Sequence, residues 1–441
     1  MVAKKLRVAW FTPLARPGEE VTSVAQYCSD LLLPRMRDDF EIEIFSGLTP
    51  GSHLDVPRYN TLSAYQRHRI DPFDAFFYQV EDGQIGRLVR TQVGIMPGIT
   101  WMHDSCLRDP GAEAIHVSPW ARTVQQMLDL SVPFLERGER PPPVQSAADR
   151  ETSISPILLF NSEWARGTLN SFMSGRSEYL PGAHWSECLP VPVLSIPDER
   201  PTDMNRPLRV LALGSTFLEG RAHKFLPAIA DTKTPCHLTW LFNPAERAEV
   251  ERLVDEFGLR ERVTLIDSPT PEKWRSLVAQ SDLALLLSWH LHGQVSPYLE
   301  LSMAASVPVV VMRCGRFERI PEDVVFTIEP GLHETAQLVG ILDAMSPHDS
   351  RALGRSGQLL VQRENNPDLV ASRLGAIFKE SAPLLADVMR DWSGLYDRGR
   401  QALLAEIKTL IDSPVGGMPG AFEKLVAPFV AELAERSQKL G

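Results

Sequence analysis

The chain has 441 residues, 44% of them hydrophobic and 23% charged, with a formal net charge of −11. That length predicts two or three domains, and the acidic balance without a basic stripe excludes a dedicated nucleic-acid surface. No apolar run approaches the roughly 18 residues of a membrane span, no signal-peptide pattern opens the chain, and five scattered cysteines form no CxxC pair, so a cytoplasmic protein without disulfides or a metal cluster is expected. The basic start, Lys4, Lys5 and Arg7, is too small for a membrane anchor.

Leu6 to Pro13 is an apolar run of strand length, followed by a Pro/Gly loop and a helix over Val21 to Met36 with Val24, Tyr27, Leu31 and Leu32 on one face. Phe40 to Phe45 alternates as a second strand, which makes this the opening of a doubly wound sheet. Phe73 to Val80 is a third strand, ending in Glu81-Asp82-Gly83. A fourth, within Gly94 to His103, delivers His103 and Asp104 to a strand's carboxyl end. Residues 105–152 read as an insertion with a helix at Arg122 to Leu130 and prolines at Pro141 to Pro143. Ile154 to Phe160 is the next strand, and Asn161-Ser162-Glu163 caps a helix through Leu169.

Leu189 to Pro207 holds five prolines and reads as a linker. A second α/β half follows: strands at Leu208 to Leu213, Cys236 to Phe242, Val263 to Ile266, Asp282 to Leu287, Pro308 to Met312 and Val324 to Ile328. Helices are predicted at Arg221 to Ala230, Ala245 to Glu256, Pro271 to Gln280, near Pro297, at His333 to Met345, and at Pro347 to Arg363 with Ser346 as N-cap. The expected domains are 1–195, 206–365, a cross-over helix in 366–381 (Pro367 to Lys379), and a helical extension 382–441 with helices at Ala382 to Ile411 and Ala421 to Leu440. Surface packing of that extension is one expectation; a partner or membrane-face contact is the other.

Asp282 to Pro321 is the informative stretch. Its loop, Ser288 to Ser296, leaves the carboxyl end of a strand, where ligands of open α/β sheets sit, and a helix start there turns free N–H groups and a positive dipole end toward it, suiting a phosphate. Gly214 and Ser215, after the half's first strand, occupy the equivalent edge. No GxGxxG follows the first strand of either half, which speaks against a dinucleotide oxidoreductase.

Four motifs, in order along the chain, carry a resemblance. TSVAQYCSDLLLP (Thr22 to Pro34), TWMHD (Thr100 to Asp104), FNSEWAR (Phe160 to Arg166) and GQVSPYLELSMAASVPVVVMRCGRFERIPEDVV (Gly293 to Val325) are similar to segments of bacterial family 4 glycosyltransferases, with a mannosyltransferase-like pattern. The resemblance implies a GT-B fold: two Rossmann-like domains, acceptor on the first and nucleotide sugar on the second, with a cleft between them. It also implies retaining transfer from a UDP- or GDP-linked sugar to a saccharide or glycoconjugate, in surface polysaccharide or glycan assembly, with no metal and no other cofactor.

A departing diphosphate needs cations and N–H dipoles. Arg221 and Lys224 are placed for this, although the family's Lys-Arg pair reads Gly220-Arg221 here. Gln294 stands where the family has its first Glu, and Leu301 where many relatives carry a second carboxylate. The neighbouring Glu300 points about 100° away, toward a ribose or toward solvent; the sequence leaves both open. Ser296 is a candidate phosphate donor. His103 and Asp104 are the catalytic candidates, Thr22 and Ser23 contact the acceptor or cap the first helix, and Glu81 and Asp82 share the same edge. His290 and His292 suggest a metal only with a third ligand. The departures motivate an alternative: a catalytically degenerate GT-B protein that binds or scaffolds.

Overall fold

The computed structural model describes residues 4–14, 23–47, 51–82, 86–104, 107, 149–167, 185–200, 203, 205–213, 220–242, 244–267, 271–287 and 297–412. By its contacts the chain forms two compact units, Met1–Ala382 and Pro383–Gly441. The first unit holds two sheets.

The first sheet takes, in chain order, β1 (Arg7–Phe11), α1 (Val24–Met36), β2 (Glu41–Phe45), β3 (Gly51–His53), β4 (Val56–Tyr59), α2 (Ala64–Ile70), β5 (Ala75–Val80), α3 (Arg87–Val93), β6 (Ile99–Met102), α4 (Asp149–Ile154), β7 (Ile157–Phe160) and β8 (Trp185–Cys188). Among the described residues it has eight strands in the order β3-β4-β2-β1-β5-β6-β7-β8, parallel throughout except for the β3–β4 pair. Trp10 lies opposite Ile44 on one side and Phe77 on the other. β1, β5, β6 and β7 are buried along their whole length, as continuous apolar strands covered on both faces must be.

The second sheet takes β9 (Leu208–Leu213), α5 (Ala222–Asp231), β10 (Cys236–Phe242), α6 (Arg247–Glu256), β11 (Val263–Asp267), α7 (Pro271–Ala279), β12 (Leu283–Leu286), α8 (Tyr298–Ala304), β13 (Val309–Met312), β14 (Phe326–Ile328), α9 (Glu334–Ala344) and α10 (Pro347–Glu364). Its order is β11-β10-β9-β12-β13-β14, all parallel. Alternation along β9 divides its core. Leu208, Val210 and Ala212 pack in one cluster with α5 and α9, whereas Leu211 and Leu213 join the other, with Trp274 of α7 and Leu301 of α8.

Two segments join the halves. Residues 189–200 run along the second half, where Val193 N donates to Asn365 O (2.8 Å) and Asn365 Nδ2 returns to Val191 O (2.9 Å). The final helix, α11 (Pro367–Asp412), starts on Asn366, whose side chain accepts from Asp368 N at 2.8 Å. It brings Phe378 into ring contact with Trp10, Phe40 and Phe77 of the first sheet. Gly375 makes this docking close: a Cβ there would stand 3.2 Å from the Phe40 ring.

Several expectations are corrected. The strand predicted at Ile154 to Phe160 begins at Ile157, because α4 runs to Ile154 and Pro156 pushes Ser155 out of the helical region. The helices predicted as Pro367 to Lys379 and Ala382 to Ile411 are one helix of 46 residues that carries Pro383 within it. Strong helix formers on both sides keep the helix going despite the one backbone bond that proline removes. The sequence reading missed β3, β4, α2, α3, α4 and β8. Arg7, counted in the small basic start and included in the predicted buried strand, is 4% exposed and pairs with Glu41, Glu43 and Asp71. Ser346 does cap α10, accepting from Asp349 N. The helices expected at Arg122 to Leu130 and Ala421 to Leu440 lie outside the described residues.

Candidate active site

The carboxyl ends of β5, β6 and β7 bring Glu81, Asp104, His103 and Asn161 to one edge, beside the start of α1. Ser23 is the N-cap of α1: its hydroxyl accepts from Gln26 N at 3.0 Å. Glu81 is 6% exposed and accepts from Ala25 N at 3.2 Å. Burial pushes its carboxyl up to about 7, against the lowering effect of the Ala25 and Ser23 hydrogen bonds, and the charge of Asp104 adds to the rise. A helix N-terminus favours a carboxylate, so here desolvation outweighs it. Asp104 in turn accepts from Asp82 N at 2.6 Å and ties the two strand ends together.

His103 is 1% exposed. Its Nε2 lies 3.0 Å from Gln79 Oε1 and its Nδ1 3.2 Å from Asn161 Nδ2. Burial lowers its pKa to about 3, so the ring is neutral at every physiological pH. With both ring nitrogens engaged, it sits in the sheet edge as a hydrogen-bonded wall element.

On the second half, Arg221 occupies the N-cap position of α5 with φ of 58°, a left-handed backbone that a side chain adopts only where the surroundings hold it. Arg221 and Glu334 are both 0% exposed. Arg221 Nε donates to Glu334 Oε2 at 3.0 Å, its Nη2 donates to the same oxygen, and Glu334 Oε1 takes Gly331 N at 2.7 Å. The arginine expected to meet a phosphate is thus paired inside the protein. Lys224 lies half-buried in the first turn of α5.

The one-residue offset between Leu301 and Glu300 is resolved by α8. Leu301 is 6% exposed and belongs to the core, while Glu300 turns out of it. Glu300 Oε1 accepts from Arg316 Nη2 at 2.9 Å, with the two side chains 14% and 5% exposed. Glu300 Oε2 and Arg316 Nε are both buried, with no hydrogen-bond partner among the described residues. Tyr27 of α1 crosses from the first half to pack on the cluster containing Leu299 and Leu301. Its buried Oη also lacks a partner among the described residues. Burial raises its pKa, with the charge of Glu300 among the smaller contributions and that of the exposed Arg275 opposing. The two halves therefore meet at Tyr27 and Glu300. α8 itself is seven residues long and has Pro297 at its N-cap.

Thr22, Gly214, Ser215, Gln294 and Ser296, with His290 and His292, lie outside the described residues. Among the described residues no group of His, Cys, Asp or Glu is arranged to hold a metal, and no helix is long and apolar enough to cross a membrane. A cavity lined by Arg206, Arg209, His237 and Thr264 opens at the amino ends of β9, β10 and β11, the edge opposite this site.

Sequence reasoning missed Arg316, Tyr27 and the Gln79–His103–Asn161 chain. Arg316 lay inside the quoted Gly293 to Val325 motif; an arginine just beyond a buried apolar strand was the available signal. Tyr27 read as a core residue of α1 and Asn161 as a helix cap.

No family model matches the sequence, and no curated protein sequence matches it. Solved structures do resemble the fold. Sucrose-phosphate synthase from Thermosynechococcus elongatus superposes with a TM-score of 0.61 at 14% identity, over 85% of this chain and 99% of that one. Anabaena HepE, in complex with UDP and glucose, gives 0.57 at 13% identity over 85% and 100%. WaaG, a glycosyltransferase involved in lipopolysaccharide biosynthesis, gives 0.54 at 12% identity over 85% and 99%. The two parallel-sheet, Rossmann-like halves are those of the GT-B architecture.

Proposed function

We propose that this chain is a nucleotide-sugar-dependent glycosyltransferase, with the nucleotide on the second sheet's carboxyl edge and the acceptor on the first. The observation that carries the reading is the Glu300–Arg316 pair, facing α1 of the first half with one carboxylate oxygen and one guanidinium N–H left over. Such a pair accepts from one ligand hydroxyl and donates to another, as a sugar requires. HepE, which the chain resembles in fold, is itself found in complex with UDP and UDP-glucose, and this supports a nucleotide sugar as the ligand that the pair would meet.

Retention of anomeric configuration, a UDP- or GDP-linked donor and a role in surface polysaccharide or glycan assembly follow from the motif resemblance and belong to the same proposal. So does the absence of a metal: Lys224, Arg316 and backbone N–H groups would meet the charge that grows on the leaving diphosphate. Closure of the cleft at Tyr27 excludes water from the transfer. A soluble enzyme acting in the cytoplasm, with residues 382–441 reaching a partner or the inner membrane face, completes the reading.

Calorimetric titration with UDP-, GDP- and dTDP-sugars tests it: one of them binds at one site, and Glu300→Ala weakens that binding at least tenfold. Binding that is indifferent to Glu300→Ala would remove the site assignment. A second reading, a binding or scaffolding protein that has lost turnover, is favoured by the engagement of Arg221 with Glu334. Sugar transfer by the pure chain eliminates it.

A further inference from the structure

A run of side-chain hydrogen bonds beneath the first sheet's edge has a fixed polarity. Trp10 Nε1, which only donates, bonds Ser29 Oγ at 3.0 Å, and Ser29 donates onward to Thr12 Oγ1 at 3.1 Å. Gln79 Nε2 also donates to Ser29 Oγ, at 2.5 Å. Its Oε1 is therefore the end that faces His103, and His103 must carry its proton on Nε2 to donate there. Nδ1 then presents a lone pair and accepts a hydrogen bond from Asn161 Nδ2. The same amide nitrogen lies 3.4 Å from His103 O. Each link orients the next, so the Asn161 amide has one orientation, with Oδ1 turned away from His103. Oδ1 is buried and has no partner among the described residues. Leaving a buried acceptor unmet costs about 1–3 kcal/mol, and in a native structure such an atom marks strain, a functional role or a place where water or a ligand meets it.

We propose that Asn161 reads a hydroxyl of the donor's sugar, with His103 as a positioning residue that fixes the amide. This rests on the glycosyltransferase reading. A carboxamide oxygen carries partial negative charge, so it matches a neutral O–H and repels a diphosphate. With the nucleotide on the second half, the sugar is the donor portion that reaches across to β6 and β7. His103 acts through Asn161: its ring nitrogens are both occupied, and its part is to hold the Nε2–H tautomer.

The test compares wild type, Asn161→Ala, Asn161→Ser and His103→Phe in calorimetric titrations with UDP and GDP and with UDP-glucose, UDP-galactose and GDP-mannose. Asn161→Ala lowers the affinity of the bound nucleotide sugar about tenfold, the worth of one neutral hydrogen bond at the upper end of its range, and leaves the bare diphosphate within twofold. Asn161→Ser gives the same discrimination if the alanine variant folds poorly, and His103→Phe reproduces the loss. Nitrogen NMR of His103 supplies a signature independent of any ligand: the Nε2–H tautomer persists from pH 5 to 9, and Asn161→Asp, which offers Nδ1 only acceptors, converts it to Nδ1–H. Equal weakening of diphosphate and nucleotide sugar, or no weakening of either, overturns the inference while the function stands. Failure of wild type to bind any UDP-, GDP- or dTDP-sugar refutes the function itself, and a protonated or Nδ1–H ring in wild type overturns the inference from the free protein alone.

Discussion

Glu81→Gln converts a raised carboxyl into a permanent neutral mimic, and the structure sets how much that is worth. The Glu81 carboxyl is moved from 4.5 to about 7, chiefly by burial. Each pKa unit corresponds to about 1.4 kcal/mol, so the charged form costs the folded state about 3 kcal/mol relative to the unfolded chain. The sign follows from proton counting. Between pH 4.5 and 7 the folded state holds the proton that the unfolded state has released, so wild-type stability falls as pH rises through this window. Below pH 4.5 both states are protonated and Glu81 costs nothing; above 7 the full cost is present. In Glu81→Gln the amide oxygen still accepts from Ala25 N and the side chain does not titrate. Urea unfolding of both proteins at pH 5, 6, 7 and 8 is the assay. The variant gains on wild type by about 2.5 kcal/mol across the series, most of it before pH 7, since at pH 5 the unfolded carboxyl is already largely ionised. A stability difference that stays flat with pH refutes the buried-acid assignment; a wild type that gains on the variant as pH rises shows the helix N-terminus outweighing desolvation.

Arg221→Met strands the buried Glu334 carboxylate and lowers stability by about 3–5 kcal/mol, read as a drop in thermal midpoint, whereas Arg221→Met with Glu334→Leu recovers most of it. Recovery marks the pair as structural, and loss of nucleotide-sugar binding in a recovered double variant would restore a donor role to Arg221. Phe378→Ala opens a cavity between α11 and the first sheet's Trp10, Phe40 and Phe77 and costs about 3–5 kcal/mol; a change under 1 kcal/mol in chemical denaturation would show that α11 is not docked there. Gly354→Ala in α10 sets a Cβ 1.7 Å from Ser306 O, against a turn already at φ of 62°. Helix and turn must part, at about 1–3 kcal/mol, and an unchanged thermal midpoint would deny the close contact.

The second sheet was more legible than the first. Leu208 to Leu213 and Cys236 to Phe242 were read to the residue, and β12 and β13 nearly so, because buried parallel strands are short apolar runs bounded by turn residues. β3, β4 and β8 went unread for the opposite reason: GSH, VPRY and WSEC carry no apolar periodicity and exist because a sheet edge offers them partners. Site residues were legible as positions and not as partners. His103 was correctly placed just past a strand, but the burial of both ring nitrogens depends on Gln79, 24 positions away, and Asn161, 58 positions away. Arg221 looked like a free cation until Glu334, 113 positions on, was brought to it. Glu300 was the reverse case: helical geometry left two directions open, and the packing of Leu301 into the core chose one.

A crystal structure soaked with the nucleotide sugar that binds in calorimetry tests the central claim most directly. The account predicts the nucleotide on the carboxyl edge of the second sheet, a ligand hydroxyl on Glu300 Oε2 or Arg316 Nε, and the sugar facing the edge that carries Asn161. A nucleotide bound elsewhere, with the Glu300–Arg316 pair still untouched by ligand, contradicts it.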